Sequence, residues 1–298
     1  MPRTIQFFLT QGRAALESAL SLGSATARTE VLMLLQQALN VTRTHLLARP
    51  EQVLDGAQAA AYRALLQRRL AGEPIAYIVG EREFYGLMFK VTAATLIPRP
   101  ETELLVELAL QRIPPFSPGP AATLSRERGC GRGFRVLDLG AGCGALALAI
   151  AHARPDVEGV AVDASIEALA VARENARRLN IENVSLLQSD WFSAFDGQRF
   201  DLIVSNPPYI AEGDPHLAQG DLRFEPRAAL ASGADGLADI RRIVAQAKAH
   251  LDPGGWLLFE HGYDQAAPAR ELLRQAGYGE VFSARDLAGI ERASGGRG

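Results

Sequence analysis

The stretch "FRVLDLGAGCGALALA", residues 134–149, decides the fold. It opens with an apolar run typical of a buried strand and closes with an apolar run typical of a helix. Between them stand Gly140, Gly142 and Gly144. Glycines at such a turn let a ligand approach the backbone amides at the start of a helix. The stretch therefore predicts a strand, a ligand-binding loop and a helix of an α/β domain.

Strand and helix signals alternate after this stretch. Apolar strands separated by amphipathic helices are typical of a parallel sheet covered on both faces. We therefore predict an α/β fold with a doubly wound, mostly parallel sheet. The further strands are predicted at 157–163, 184–190, 200–205, 255–262 and 280–286, and the helices at 144–153, 165–180, 238–251 and 264–277.

The first third of the chain has a different character. Residues 1–75 carry apolar side chains at helical spacing, which predicts a small helical bundle, with Asp55 as the N-cap of its last helix. β-Branched and aromatic residues then predict a β-hairpin linker at 76–98. The main domain is predicted at 99–298, beginning with a helix that has Pro100 at its first position. Within it, residues 114–133 are rich in proline and glycine and predict a flexible loop.

Bulk composition limits the location and the partners. The 298 residues include 48% hydrophobic and 22% charged residues with a net charge of −3, which favours a globular protein and gives no reason to expect direct contact with nucleic acid. Cys130 and Cys143 form neither a disulfide framework nor a metal-ligand spacing, so no metal is expected. Without a signal peptide or an apolar run of membrane length, the predicted location is the cytoplasm, away from the membrane.

Two further strand ends carry polar or aromatic residues. Asp163 ends the second strand, where a carboxylate can accept hydrogen bonds from ribose hydroxyls, although it could instead cap the next helix, a role that Ser165 can also fill. Asp190 and Trp191 end the third strand, positioned for the polar edge and the ring face of an adenine, although a buried Trp is often a core residue. Together with the glycines they predict an adenosine site, which suits NAD as well as S-adenosylmethionine.

The fourth strand runs into "SNPPYI", residues 205–210. Hydride transfer needs a proton donor or acceptor, whereas this motif offers acceptor oxygens, rigid backbone and an aromatic face. The Asn206 side-chain oxygen and the Pro207 carbonyl can each accept one N–H of a planar NH2 group, while Tyr209 packs on its plane. Both hydrogen bonds strengthen as positive charge grows on a nitrogen that attacks a methyl group. The motif therefore favours methyl transfer to a planar nitrogen.

Several motifs together resemble those of a known family. "DLGAGCG", "SDWF" and "SNPPYI" are preceded by "REFYG" and "LIPRPETE" and followed by "FEPRAAL". In this combination the chain resembles the HemK family of protein-(glutamine-N5) methyltransferases, which modify peptide chain release factors. The resemblance spans nearly the whole chain.

The resemblance implies a class I S-adenosylmethionine-dependent methyltransferase acting in translation termination on release factors 1 and 2, with S-adenosylhomocysteine as the product. A helical N-terminal domain would help to hold the protein substrate. Asn206, Pro207, Pro208 and Tyr209 would hold the glutamine of a Gly-Gly-Gln loop. Asn206, Pro207 and Tyr209 would act in catalysis. The residues implied to bind the cofactor are Gly140, Ala141, Gly142, Cys143, Gly144, Asp163, Trp191 and Asn206.

Two other functions are compatible with the residues. An N6-adenine methyltransferase acting on DNA or RNA would present the same planar NH2 to the Asn-Pro-Pro-Tyr segment, with the base flipped out of its stack. The slightly acidic charge and the absence of a lysine-rich segment argue against it. A noncatalytic adaptor that binds release factors through the helical bundle is the other alternative, and the intact motif argues against it.

Overall fold

The structure is a computed structural model that describes residues 3–115 and 133–298. Most of the predicted 114–133 loop therefore lies outside the described residues. The chain forms two compact units. The first comprises Met1–Glu81 and Gln219–Phe224, and the second comprises Arg82–Ala218 and Glu225–Gly298.

The first unit is helical, as predicted. Its buried core includes Phe8, Leu16 and Leu35. Asp55 caps α4 in a capping box: its carboxylate accepts a hydrogen bond from the Gln58 amide at 2.8 Å, and the Gln58 side chain accepts one from the Asp55 amide at 3.1 Å. The helices are α1 (Ile5–Leu20), α2 (Ser24–Leu39), α3 (Arg43–Ala48), α4 (Gly56–Leu70) and α5 (Ile75–Val79).

The hairpin is shorter than predicted. Its strands are β1 (Glu81–Phe84) and β2 (Leu87–Lys90), whereas the segment from Ile75 to Val79 is helix α5. Pro74 precedes this helix and Gly80 ends it in the left-handed conformation, so the helix is bounded at both ends. Its Ala76 and Ile78 are buried, and this packing outweighs the strand preference of a β-branched sequence.

A buried arginine joins residues 219–224 to the helices of the first unit. The Arg69 guanidinium is 4% exposed and donates hydrogen bonds to Glu30 at 2.7 Å and to Asp221 at 3.2 Å. Arg223 also donates to the carbonyl of Ala71 at 2.8 Å. The Asp221 side chain is 41% exposed, so the segment is joined to the helices by hydrogen bonds at the surface of this unit.

A mostly parallel sheet forms the second unit, as predicted. Within the described residues its order is β5-β4-β3-β6-β7-β9-β8, and only β9 runs opposite to the other strands. The strands are β3 (Phe134–Leu139), β4 (Val157–Asp163), β5 (Val184–Gln188), β6 (Phe200–Ser205), β7 (Leu251–Glu260), β8 (Gly279–Arg285) and β9 (Glu291–Arg297). The helices are α6 (Glu103–Arg112), α7 (Ala145–Ala153), α8 (Ile166–Arg178), α9 (Ala238–Ala247) and α10 (Ala266–Gln275).

Two strands differ from the prediction. The sequence "ERASGGR" gives no strand signal, yet it forms β9. A Cβ atom on Gly295 would lie 2.5 Å from Leu258 Cδ2, so close packing against β7 explains why this strand contains glycine. The other difference is that β7 begins at Leu251 rather than Gly255, and a register shift between Phe200 and Leu202 accommodates its early residues.

The parallel strands bring their carboxyl ends to one edge of the sheet. That edge carries the glycines after β3, Asp163, Trp191 and Asn206. Ligands of doubly wound sheets bind at this edge. Among residues 3–115 and 133–298, no helix has the length and apolar character needed to cross a membrane. The cytoplasmic location remains a prediction.

Candidate functional site

A cavity of about 320 Å³ opens at the carboxyl edge of the sheet. Four successive strand ends contribute to it, together with residues 94–96 and with Pro226, Ala228 and Ala229. Of the residues predicted from the sequence, it is lined by Gly140, Gly142, Asp163, Asp190, Trp191, Asn206 and Pro208. The sequence-based placement of these residues around one crevice is therefore what the structure shows.

The glycine loop, residues 140–144, turns through left-handed backbone. Gly140, Gly142 and Gly144 have φ values of 73°, 55° and 83°, a region that side chains disfavour. A Cβ atom on Gly142 would meet nothing within 4 Å, so the loop leaves open space there. Ala141 and Cys143 are buried and do not line the cavity. Burial raises the pKa of the Cys143 thiol to about 12, which keeps it neutral.

Asp163 supports this loop from the end of β4. One carboxylate oxygen accepts a hydrogen bond from the Gly142 amide at 2.8 Å, and the other accepts one from the Ser165 amide at 2.9 Å. Ser165 caps α8, because its hydroxyl accepts a hydrogen bond from the Ala168 amide at 3.0 Å. The capping role considered for Asp163 is thus taken by Ser165, and the Asp163 carboxylate remains in the cavity wall.

A second carboxyl group lies beneath the loop. Asp138 on β3 is 1% exposed and accepts a hydrogen bond from the Ala147 amide at 3.1 Å, which links β3 to the start of α7. Burial and the nearby charge of Asp163 raise the pKa of Asp138 to about 7, although the hydrogen bond from Ala147 opposes the shift.

The end of β5 supplies an aromatic wall. Trp191 has a φ of 50°, and its Cζ3 atom would lie 3.5 Å from a Cβ atom on Gly140, so the indole packs beside the glycine loop. The adjacent Asp190 accepts two hydrogen bonds from Arg242, at 2.9 and 2.7 Å. Its carboxylate therefore already has a cationic partner in the cavity wall.

The NPPY loop, Asn206–Tyr209, is held by hydrogen bonds from three other segments. Asn206 Nδ2 donates to Thr102 Oγ1 at 3.1 Å, and the Tyr209 hydroxyl donates to Glu260 Oε1 at 3.0 Å. From behind, Gln265 Nε2 donates to the Tyr209 carbonyl at 2.9 Å. Neither Pro207 nor Tyr209 lines the cavity, whereas Asn206 and Pro208 do.

Glu260 connects the two ends of this loop. Its other oxygen, Oε2, accepts a hydrogen bond from the Thr102 hydroxyl at 2.6 Å. Burial raises the pKa of Glu260 to about 7, and Glu101 adds to the shift. The hydrogen bonds from Thr102 and Tyr209 and the charge of Arg292 oppose it. The same burial, with Glu260 beside it, raises the pKa of Tyr209, so its phenol stays protonated as a donor.

Glu225 joins the two motifs that flank the NPPY loop in the sequence. Its buried carboxylate accepts a hydrogen bond from the Ile97 amide at 2.9 Å and pairs with Arg99. "LIPRPETE" and "FEPRAAL" therefore meet in space, which places Leu96, Pro226, Ala228 and Ala229 in the cavity wall, while Thr102 is buried behind it.

Sequence reasoning missed Thr102, Glu225, Glu260 and Gln265. An acidic residue at the end of an apolar strand was the available signal for Glu260. The neighbouring His261 is fully buried, and its ring bonds Gly262 at 2.8 Å and Ser294 at 2.9 Å. Burial lowers the pKa of His261, so it is a neutral core residue. His216 is exposed beside Asp214.

Comparison with known proteins extends these observations. The family model "Methyltransferase small domain" matches residues 122–225, and the model "PrmC N-terminal domain" matches residues 8–80. Among solved structures, a human methyltransferase 10 domain containing protein superimposes with a TM-score of 0.50 at 17% identity, covering 79% of this chain and 96% of its own. This likeness concerns the fold.

Curated relatives are much more similar in sequence. The release factor glutamine methyltransferase of Burkholderia pseudomallei is 54% identical, over 89% of this chain and 90% of its own length. The protein of the same name from Escherichia coli is 47% identical, over 92% of this chain and 93% of its own. The chain therefore belongs to the family of release factor glutamine methyltransferases.

Proposed function

We propose that this chain transfers a methyl group from S-adenosylmethionine to the side-chain nitrogen N5 of the glutamine in the Gly-Gly-Gln motif of peptide chain release factors 1 and 2, and so acts in translation termination. Its membership of the family supports this substrate. The observation that carries the proposal is that Asn206 lines the same cavity as the glycine loop and Asp163. The helical first unit would help to hold the release factor.

The residues at the carboxyl edge of the sheet fit the cofactor. Gly142 leaves open space at a backbone turn, Asp163 offers carboxylate oxygens for ribose hydroxyls, and Trp191 offers an aromatic face. When bound, S-adenosylmethionine supplies an electrophilic methyl group and leaves as S-adenosylhomocysteine. Buried within the same loop, Ala141, Cys143 and Gly144 would contribute backbone rather than side chains.

The NPPY loop would bind the glutamine amide. Asn206 Nδ2 is engaged by Thr102, so Oδ1 is the atom left to accept an N–H from the substrate. The Pro207 carbonyl would accept the second N–H, while Pro208 and Tyr209 would flank the flat amide group. Because two prolines restrict the backbone, the acceptors need little rearrangement when the substrate binds.

The Asn206 and Pro207 oxygens would compensate for the low nucleophilicity of the amide nitrogen. An amide nitrogen is a poor nucleophile because its lone pair is delocalised, and it gains positive charge as it forms a bond to carbon. The charge is lost when the methylated nitrogen releases one of its two protons. Fixed acceptor oxygens become stronger partners as that charge grows, which lowers the barrier. Holding the nitrogen in line with the methyl carbon supplies the other large contribution.

A labelled-methyl assay tests the proposal. The chain is incubated with radiolabelled S-adenosylmethionine and with purified release factor, with release factor carrying Gly-Gly-Ala in place of Gly-Gly-Gln, or with DNA. We expect label only in the unaltered release factor. Label in DNA alone would support an adenine methyltransferase, and binding of the release factor without cofactor binding would support an adaptor. Either result would refute the proposal.

A further inference from the structure

Glu260 is a buried carboxylate that lies behind the NPPY loop. It is 2% exposed, at the end of β7, and both of its oxygens accept hydrogen bonds from hydroxyl groups. Thr102 and Tyr209 are the donors, at 2.6 and 3.0 Å. Such buried polar groups are costly unless they are satisfied, so an ionised Glu260 requires both hydroxyls as donors.

This requirement fixes the direction of the next hydrogen bond. A threonine hydroxyl has a single proton, and Thr102 gives it to Glu260. Thr102 must therefore act as the acceptor towards Asn206, which can donate only through Nδ2. The Asn206 amide is thereby oriented with Nδ2 towards Thr102 and Oδ1 available to a ligand. In the opposite orientation, Nδ2 would face the substrate NH2, and two donors would meet.

Tyr209 is oriented by the same carboxylate. Its phenol donates directly to Glu260, and Gln265 holds its carbonyl at 2.9 Å. Arg99 acts electrostatically on Tyr209. The charged groups that act on Glu260 are Glu101, on the 3-10 turn before α6, and Arg292, on β9. They influence Glu260 electrostatically in opposite senses. Glu260 is thus a shared anchor for the first and the last residue of the NPPY loop.

We propose that Glu260 is a positioning residue for methyl transfer: it orients Asn206 through Thr102 and holds Tyr209 directly, so that the NPPY loop presents acceptors to the substrate nitrogen. The inference rests on the proposed function. In this account the LIPRPETE motif contributes Thr102, whose hydroxyl donates to Glu260 and accepts from Asn206.

Matched variants test this role. Glu260→Gln keeps the shape but adds a donor, and Thr102→Val keeps the shape but removes the hydroxyl. We expect each to lower kcat for release factor methylation by about tenfold or more, because misplacement of a reacting group is costly. The cofactor Kd measured by calorimetry should change less than about twofold, since neither group lies in the glycine loop. Thr102→Ser, which keeps the hydroxyl, should lose much less kcat than Thr102→Val, and Glu280→Gln, at an exposed position of β8, should retain wild-type kcat.

The hydrogen bonds from Asn206 through Thr102 to Glu260 predict that substitutions at Thr102 and Glu260 have non-additive effects on kcat. A Glu260→Gln, Thr102→Val double variant should be no slower than the slower single variant, because both interrupt one pathway. The kcat of the wild type should rise as the pH increases through about 7, the pKa of Glu260, and Glu260→Gln should lack this rise. A wild-type kcat for Glu260→Gln, or an unchanged pH profile, would overturn the inference.

A structural readout separates this inference from the proposed function. In 15N-labelled protein, the side-chain NH2 signal of Asn206, identified by its loss in Asn206→Ala, should shift in Glu260→Gln and Thr102→Val but not in Thr102→Ser or Glu280→Gln. Unmoved signals would overturn the positioning role even in an active enzyme. If the variants shift the signal as expected but the wild type leaves the release factor unmethylated, the proposed function is refuted instead.

Discussion

The two sides of the cavity are built in different ways. The glycine-loop side consists of residues 140–144 with Asp163, and its parts are close in the fold of a single β-α-β unit. Three distant segments must converge on the NPPY side, since Asn206 bonds Thr102, and Tyr209 bonds Glu260 and, through its carbonyl, Gln265. Backbone conformation therefore defines one wall, and a buried side-chain network defines the other. The first should tolerate side-chain changes that the second does not.

This difference explains what the sequence could predict. Glycines, apolar strands and a carboxylate at a strand end are local signals, and they located the loop, Asp163 and the parallel sheet. The hydrogen bonds that Glu260 accepts from Thr102 and Tyr209 join residues 158 and 51 positions apart in the sequence, so no local sequence pattern predicts them. Strand β9 escaped prediction for a related reason, because its glycines reflect close packing against β7 rather than strand preference.

The largest effect should come from the NPPY side. Asn206→Ala removes an acceptor that the proposed chemistry strengthens as charge develops, so we expect kcat to fall about 10²–10³-fold, or about 3–4 kcal/mol. Calorimetry should find the cofactor affinity nearly unchanged. Normal turnover in Asn206→Ala would show that Asn206 has no catalytic role, and the NPPY side would then not differ from the glycine-loop side in this respect.

A matched pair of glycines compares the walls directly. Gly142 and Gly236 both have left-handed φ, but a Cβ atom on Gly236 would lie 2.3 Å from the Tyr209 carbonyl oxygen. We expect Gly142→Ala to lower the free energy of unfolding by about 1 kcal/mol, and Gly236→Ala by about 3 kcal/mol because overpacking adds to backbone strain. Urea unfolding monitored by tryptophan fluorescence reports the second unit, which contains both Trp191 and Trp256. Equal losses would show that the Tyr209 backbone yields easily.

Asp163 should affect binding more than turnover. Asp163→Ala removes a carboxylate that accepts a hydrogen bond from the Gly142 amide and that we propose for the ribose. We expect the cofactor Kd to rise about 10-fold to 100-fold, corresponding to about 1.5–3 kcal/mol for hydrogen bonds to a charged group. Asp163→Asn, which keeps one acceptor, should lose less. Normal cofactor affinity in the alanine variant would contradict the ribose assignment.

The smallest predicted effect is a pH dependence shared by both walls. Each contains one buried carboxyl whose pKa is raised to about 7, Asp138 beneath the glycine loop and Glu260 behind the NPPY loop. A raised folded-state pKa gives stability that is fully present below the unfolded pKa and is lost as pH rises through about 7. From about pH 6 to about pH 8, each group should therefore cost about 1 kcal/mol of unfolding free energy.

Differences between variants isolate these two groups. At each pH, the free energy of unfolding of Asp138→Asn or of Glu260→Gln, measured in urea, is subtracted from that of the wild type. The remaining titrations, including that of His261, cancel in this difference. Each difference should show the predicted loss of stability with rising pH. A difference that stays constant over this range would mean that the corresponding carboxyl is not titrating there.

Mass spectrometry of the release factor tests the central claim most directly. Purified release factor is treated with S-adenosylmethionine and either the wild-type chain or Asn206→Ala, and the peptide that contains Gly-Gly-Gln is fragmented. We predict one added methyl group, on the glutamine side chain, with the wild type, and almost none over the same time with Asn206→Ala. An unmodified peptide with the wild type, a methyl group on another residue, or equal modification by both proteins would contradict the account.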